Sequence, residues 1–195
     1  MSVRAVTSSV GHRRIHRAQR WLENRAAAEE VLIIGATLDA ANELARRVAK
    51  KKGAAFGWHR LTLPQSAFAI AAPILAARGL TPLSRIGARA FVARLVHRLN
   101  IEGRLRHYQS VVTSPGFPRA VAGVVAELRL ARISRDAIAA WAPHLAPLTE
   151  AYEAELKDAG LTDWPGVLAL ASEAASAGGN KPRLIGLPML LLDVP

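Results

Sequence analysis

The run Val31-Leu32-Ile33-Ile34 ends at Gly35 and leads straight into an amphipathic segment. A short continuous apolar run followed by glycine and a helix fits a strand buried on both faces of a parallel sheet. The helix is expected from about Leu38 to Lys52. Leu38, Ala41, Leu44, Ala45 and Val48 share one face, while Arg46, Arg47, Lys50 and Lys51 lie away from it. Thr37 is placed to cap this helix, and Asp39 suits its first turn. Glu43 stands four residues before Arg47, and Gly53 closes the segment.

A strand, a tight turn and a helix in this order make the usual setting of a phosphate-binding loop. Laid on G-x-x-x-x-G-K-[ST], Gly35 takes the first glycine, Ala40 replaces the second, Ala41 the lysine and Asn42 the hydroxyl residue. Lysine and hydroxyl would serve the phosphates and Mg²⁺, and neither is available. Asp39 adds negative charge where phosphate would lie. The expectation is a degenerate nucleotide-binding region marked by Gly35, Thr37, Asn42 and, near the end of the chain, Asp193. Residual anion binding competes here with a plain strand–helix turn. At Asp193, metal coordination competes with a strand-end turn residue.

The chain has 195 residues, enough for one domain or one compact domain with a helical insertion. Lys and Arg total 26 against 15 Asp and Glu, a net charge of +11, which points to an anionic partner, most commonly nucleic acid. There is no cysteine, so disulfides and thiolate metal sites are excluded. His12 and His16 come nearest to metal-ligand spacing but sit in a basic stretch, and no metal or other cofactor is expected. No run of about 18 apolar residues occurs, so no membrane span is expected and a cytoplasmic protein is the simpler reading. The N-terminus, with Arg4, Arg13, Arg14, Arg17 and Arg20, lacks the apolar core of a secretory signal.

Residues 12–28 read as a basic helix anchored by Ile15, Trp21 and Leu22. His59–Leu63 reads as a second strand, followed by a helix opened by Pro64 and interrupted by Pro73. Ser84 caps a helix reaching about Asn100, and Thr113–Gly116 is a turn before a helix from Phe117 to Ala131. Ser134 caps a short helix ending before Pro143. Leu145, Leu148, Tyr152 and Leu156 mark another helix, stopped by Gly160. Asp163 begins the next one, which runs to Gly178-Gly179, and Met189–Val194 is a final apolar strand. The fold expected is α/β and helix-rich: a partial parallel sheet carrying a large helical insertion. Its parts would be a basic helical segment at 1–28, an α/β portion at 29–83 and 180–195, and a helical subdomain at 84–179. A parallel strand is normally covered by further chain, so the polypeptide is expected to be the front portion of a longer protein.

Three features in order carry a resemblance. They are the strand–Gly–helix at 31–48, the stretch Leu148-x-x-x-Tyr152-Glu153-x-x-Leu156-x-x-x-Gly160-Leu161-x-Asp163, and the apolar strand ending in Asp193. Together they resemble the first motor domain of UvrD-like superfamily one helicases. More narrowly, Leu32–Arg46, Arg60–Gln65 and Thr113–Ala120 are similar to the N-terminal part of AddB-type proteins, helicase-like PD-(D/E)XK nuclease subunits of bacterial double-strand-break repair complexes. The resemblance covers most of residues 25–195. It implies a RecA-like sheet, a helical insertion, and a segment near Thr62–Ser66, with Gln65 and Ser66, close to single-stranded DNA. It also implies an AddA-like helicase as partner.

Against the family pattern, the lysine position is Ala41 and the residue after Asp193 is Val194 rather than glutamate. ATP hydrolysis by this chain is therefore not expected, and no catalytic residue is assigned. The function expected is a non-hydrolytic RecA-like scaffold that holds DNA, single-stranded or at an end, without reading sequence. Arg46, Arg47, Lys50, Lys51, Gln65 and Ser66 would make the contacts. The alternative is a structural or protein-interaction module with no nucleic-acid role.

Overall fold

A computed structural model describes residues 3–177 and 182–194. The chain divides into two compact units. One comprises residues 1–70 and 174–195; the other comprises residues 71–173. The divisions fall at 70/71 and 173/174, whereas the sequence suggested 83/84 and 179/180.

The first unit is an α/β layer built from helix α1 (Gly11–Glu23), strand β1 (Val31–Gly35), helix α2 (Leu38–Lys52), strand β2 (Trp58–Thr62) and strand β5 (Met189–Leu192). All pairing is parallel, in the order β2-β1-β5. Ile33 stands opposite Arg60 and Leu190, and Gly35 opposite Thr62 and Leu192. The central position of β1 explains its composition: every one of its residues is buried, as a strand covered on both faces requires. Val31 and Ile33 face Ala18 and Leu22 of α1 and Ala41, Leu44, Ala45 and Val48 of α2. The basic N-terminal helix is thus part of this core. It ends at Glu23, short of the expected residue 28.

The final apolar strand expected at Met189–Val194 is present as β5 (Met189–Leu192), at the edge of the sheet. Leu192 is buried, but Met189 and Leu191, alternating on the opposite side, remain 45% and 59% exposed. A run of apolar letters cannot distinguish an inner strand from an edge strand.

Helix α3 (Leu63–Ala77) leads out of this unit and α8 (Trp164–Ser176) leads back. Pro73 lies inside α3, as expected. The expected end of α8 at Gly178-Gly179 falls outside the described residues; its assigned end is Ser176.

The second unit is helical: α4 (Arg85–Ile101), α5 (Phe117–Leu130), α6 (Arg135–Trp141) and α7 (Ala146–Asp158). Its core gathers Phe91, Leu95 and Leu99 from α4, Val121 and Val125 from α5, and Leu148, Tyr152 and Leu156 from α7. Two two-residue strands, β3 (Thr81–Pro82) and β4 (Leu161–Thr162), pair in parallel and tie the ends of this unit together. Neither was expected, since two residues carry no periodicity.

Candidate functional site

In an open parallel sheet, ligands are received at the carboxyl ends of the strands. Here that edge is formed by Gly35, Thr62 and Leu192. It brings together the turn after β1, the start of α3 and Asp193, so Gly35, Thr37 and Asp193 of the degenerate nucleotide region lie at the carboxyl end of the sheet, while Asn42 stands more than a turn into α2. Their individual geometry is not that of a phosphate cradle.

Only Ala36 and Thr37 separate β1 from α2. A Cβ on Gly35 would sit 2.7 Å from the Thr37 carbonyl oxygen and 3.1 Å from the Ala41 nitrogen, so the absence of a side chain is what lets the turn close. Three amides of the segment already have partners. Ala36 donates to the Leu192 carbonyl (3.0 Å), Ala40 to the Thr37 hydroxyl (3.1 Å) and Ala41 to the Thr37 carbonyl (3.3 Å). Thr37 is therefore the helix cap that the sequence predicted. Ala41, the position aligned with the lysine, lies within α2 and is completely buried. Asn42 is exposed beside it.

Asp193 has positive φ (48°) and is exposed, and its carboxylate is taken by Arg14 of α1 at 2.8 Å. Arg14 also donates to the Ser8 carbonyl. Among the described residues no group of three or more His, Cys, Asp or Glu could hold a metal ion. The carboxylate at the strand end thus ties the N-terminal helix to the last strand. These partners stand 179 positions apart in sequence, and no local signal joins them.

Gln65 and Ser66 open α3. The Gln65 side-chain oxygen accepts from the Thr62 backbone N–H (2.9 Å), and the Gln65 backbone N–H donates to the Thr62 hydroxyl (3.4 Å). This is a reciprocal capping box, legible afterwards in the spacing Thr-x-x-Gln. Ser66 is only 2% exposed and donates to the Leu63 carbonyl (2.9 Å), so its hydroxyl is placed for packing rather than for a surface contact.

The cations of α2 divide. Arg46 and Arg47 both pair with Glu43, Arg47 at 2.6 Å. Their hydrogen bonds, Arg47's first, hold the Glu43 carboxyl below its usual range. Lys51 pairs with Glu23 at 2.9 Å, and Lys52 donates to the Glu23 carbonyl at 3.0 Å. Lys50 is exposed with no acidic partner among the described residues.

Helix α1 differs. Ala18 and Leu22 turn inward, and Arg13, Arg17 and Arg20 occupy the opposite stripe at i, i+4 and i+7. All three are exposed and form no ion pair among the described residues, and His16 stands exposed beside them. The α/β unit holds 14 Lys and Arg against six Asp and Glu by sequence, compared with 12 against nine in the helical unit. The positive surplus is concentrated where the unpaired stripe lies.

The Tyr152…Asp163 stretch that carries the family resemblance forms a different kind of centre. Asp163 is 4% exposed and caps α8, accepting from the Gly166 amide at 2.9 Å. It also accepts from Arg129 (2.8 and 3.2 Å) and from the Tyr152 hydroxyl (3.1 Å). Arg129 continues to Glu153 at 2.7 Å, and Glu153 receives Arg135. Burial first, then the Asp163 charge, pushes the Tyr152 phenol well above its ordinary range, so it stays protonated and donates. At Arg129 burial is the largest single influence and opposes the charge, but the hydrogen bond and charge of Asp163 together with the charges of Glu153 and Tyr152 outweigh it and raise the pKa. Every charge here has a protein partner. It is a structural lock among α5, α7 and α8, and Tyr152 is a core residue, with Phe91 edge-on at 5.4 Å.

No helix of the described residues is long and apolar enough to cross a membrane. No family model matches the chain, and no curated protein is a significant match.

Proposed function

We propose that the α/β unit binds the phosphate backbone of nucleic acid without reading base sequence, as a non-hydrolytic scaffold. The observation that carries this reading is the stripe Arg13, Arg17 and Arg20, exposed and without acidic partners on the outer face of α1. Along a helix the three guanidinium groups span about 10 Å, a reach suited to successive phosphates of one strand. Neutralising those phosphates releases counterions, so affinity falls steeply with salt. Lys50 extends the set on α2; Arg46 and Arg47, sharing Glu43, contribute less than their exposure suggests.

In this reading the three-stranded sheet is part of a RecA-like layer of AddB type, and the DNA is single-stranded or an end, held beside an AddA-like helicase. The motif order noted in the sequence supports that assignment. The buried Ala41 and the two-residue turn are in keeping with a role that does not use ATP.

Fluorescence anisotropy with a labelled single-stranded oligonucleotide across a salt series tests the proposal. Replacing Arg13, Arg17 and Arg20 together by Gln should reduce the slope of log K against log[salt] by about two for a single strand. An unchanged slope in the triple variant, or binding indifferent to salt, would reject the reading.

One observation favours a second reading, a protein-interaction module. The edge strand β5 presents Met189 and Leu191 to solvent beside unpaired backbone groups. Under that reading Leu191→Lys abolishes association with a partner while oligonucleotide binding is absent from the start.

A further inference from the structure

We propose that a cleft in the α/β unit, at the free edge of β2, is a binding site for a small carboxylate carrying an apolar or aromatic body. The cleft has a volume of about 680 Å³, within the usual range for small-molecule sites. Leu38 and Asn42 of α2 form one wall, Trp58 to Leu61 of β2 the floor, and Pro182 to Leu184 the facing wall. Nothing in the nucleic-acid reading uses this place.

Two independent observations give the cleft its chemistry. Trp58 is 8% exposed, and its indole nitrogen is buried with no hydrogen-bond partner among the described residues. That nitrogen has almost no accessible surface, so what Trp58 offers the cleft is the small exposed part of its indole, an aromatic wall for the ligand's apolar body. The second observation is charge. The lining holds His59, Arg60 and Arg183, but Glu30 takes Arg183 at 2.8 Å and stands 3.4 Å from the His59 ring. Arg60 is exposed and has no acidic partner among the described residues, leaving one unneutralised guanidinium.

One open positive charge matches a monoanion. A carboxylate fits the guanidinium fork through two parallel hydrogen bonds. A phosphomonoester, carrying nearly two charges, would need a second cation that Glu30 has already engaged. The Asn42 amide supplies a neutral polar contact, and Leu38, Leu61 and Leu184 cover the ligand's apolar body.

The test uses the full chain and ¹H–¹⁵N spectra, with the Trp58 indole N–H resonance assigned by Trp58→Phe. Phenylacetate should shift that resonance saturably. The neutral isostere 2-phenylethanol and inorganic phosphate should each bind about tenfold more weakly or worse, the loss expected for one charge-assisted hydrogen bond. Arg60→Gln, an exposed change that leaves the fold intact, should weaken phenylacetate by a similar factor, whereas Arg119→Gln in the other unit should not. A Trp58 resonance unmoved by phenylacetate overturns the proposal. So does equal binding of the alcohol or of inorganic phosphate, or an Arg60→Gln variant that binds as well as the parent.

Discussion

Gly35 and Asp163 show how single positions decide this molecule. A methyl group on Gly35 would meet backbone at 2.7 Å, and backbone cannot swing aside as a side chain can. Gly35→Ala should therefore destabilise the protein by about 2 kcal/mol, the usual scale of overpacking, read as a lower urea midpoint at unchanged m-value. Asp163 accepts from Arg129, Tyr152 and the Gly166 amide while nearly fully buried. Asp163→Ala removes at once the acceptor of the Arg129 guanidinium, which keeps only Glu153, of the Tyr152 hydroxyl and of the Gly166 amide, and should cost roughly 3 kcal/mol, against about 1 kcal/mol for Tyr152→Phe, which removes one neutral donor. Equal losses in the two variants would show that packing, not charge, dominates. Because the folded Tyr152 pKa is raised, its stabilisation is complete below the ordinary tyrosine value of 10.0 and declines as pH climbs above it. Thermal melts between pH 8 and about 11 should show that decline, and Tyr152→Phe should flatten it.

At the scale of elements, the helix starts carry most of what could be read from sequence. Thr37, Ser84 and Ser134 each accept from the amide three residues on, at Ala40, Gly87 and Ala137. Short polar side chains before an apolar repeat reveal such starts because capping is local chemistry. The Thr62–Gln65 box follows the same logic, and Thr62→Val should lower stability by about 1 kcal/mol in denaturant titrations. The pairing of Thr81-Pro82 with Leu161-Thr162 was not legible, since strands of two residues have no period to detect. The Arg14–Asp193 pair and the cleft around Trp58 were equally hidden, being made by distant segments meeting in space. Among the ion pairs, Glu29, Glu30 and Glu43 all have depressed pKa values. Their contribution holds above the unfolded value of 4.5 and disappears as pH falls below it, so acid unfolding should begin there and shift upward in Glu30→Gln.

Taken as a whole, the molecule combines a strongly cationic α/β unit, an edge strand with exposed apolar side chains, and a more nearly balanced helical unit. The first two features pull in opposite directions, because like charge keeps copies apart while an open edge invites pairing. Raising salt should therefore promote self-association, visible as a growing sedimentation coefficient, and Leu191→Lys should suppress it. The turn after β1 carries a different consequence. At position 41 a single side chain serves the hydrophobic interior, in the place where a phosphate-binding loop would need a cation facing solvent. Restoring lysine there would rupture the core sooner than it would create a site for triphosphate. Within this backbone, foldability and that chemistry compete for the same few cubic ångströms, and only a longer connection could separate them.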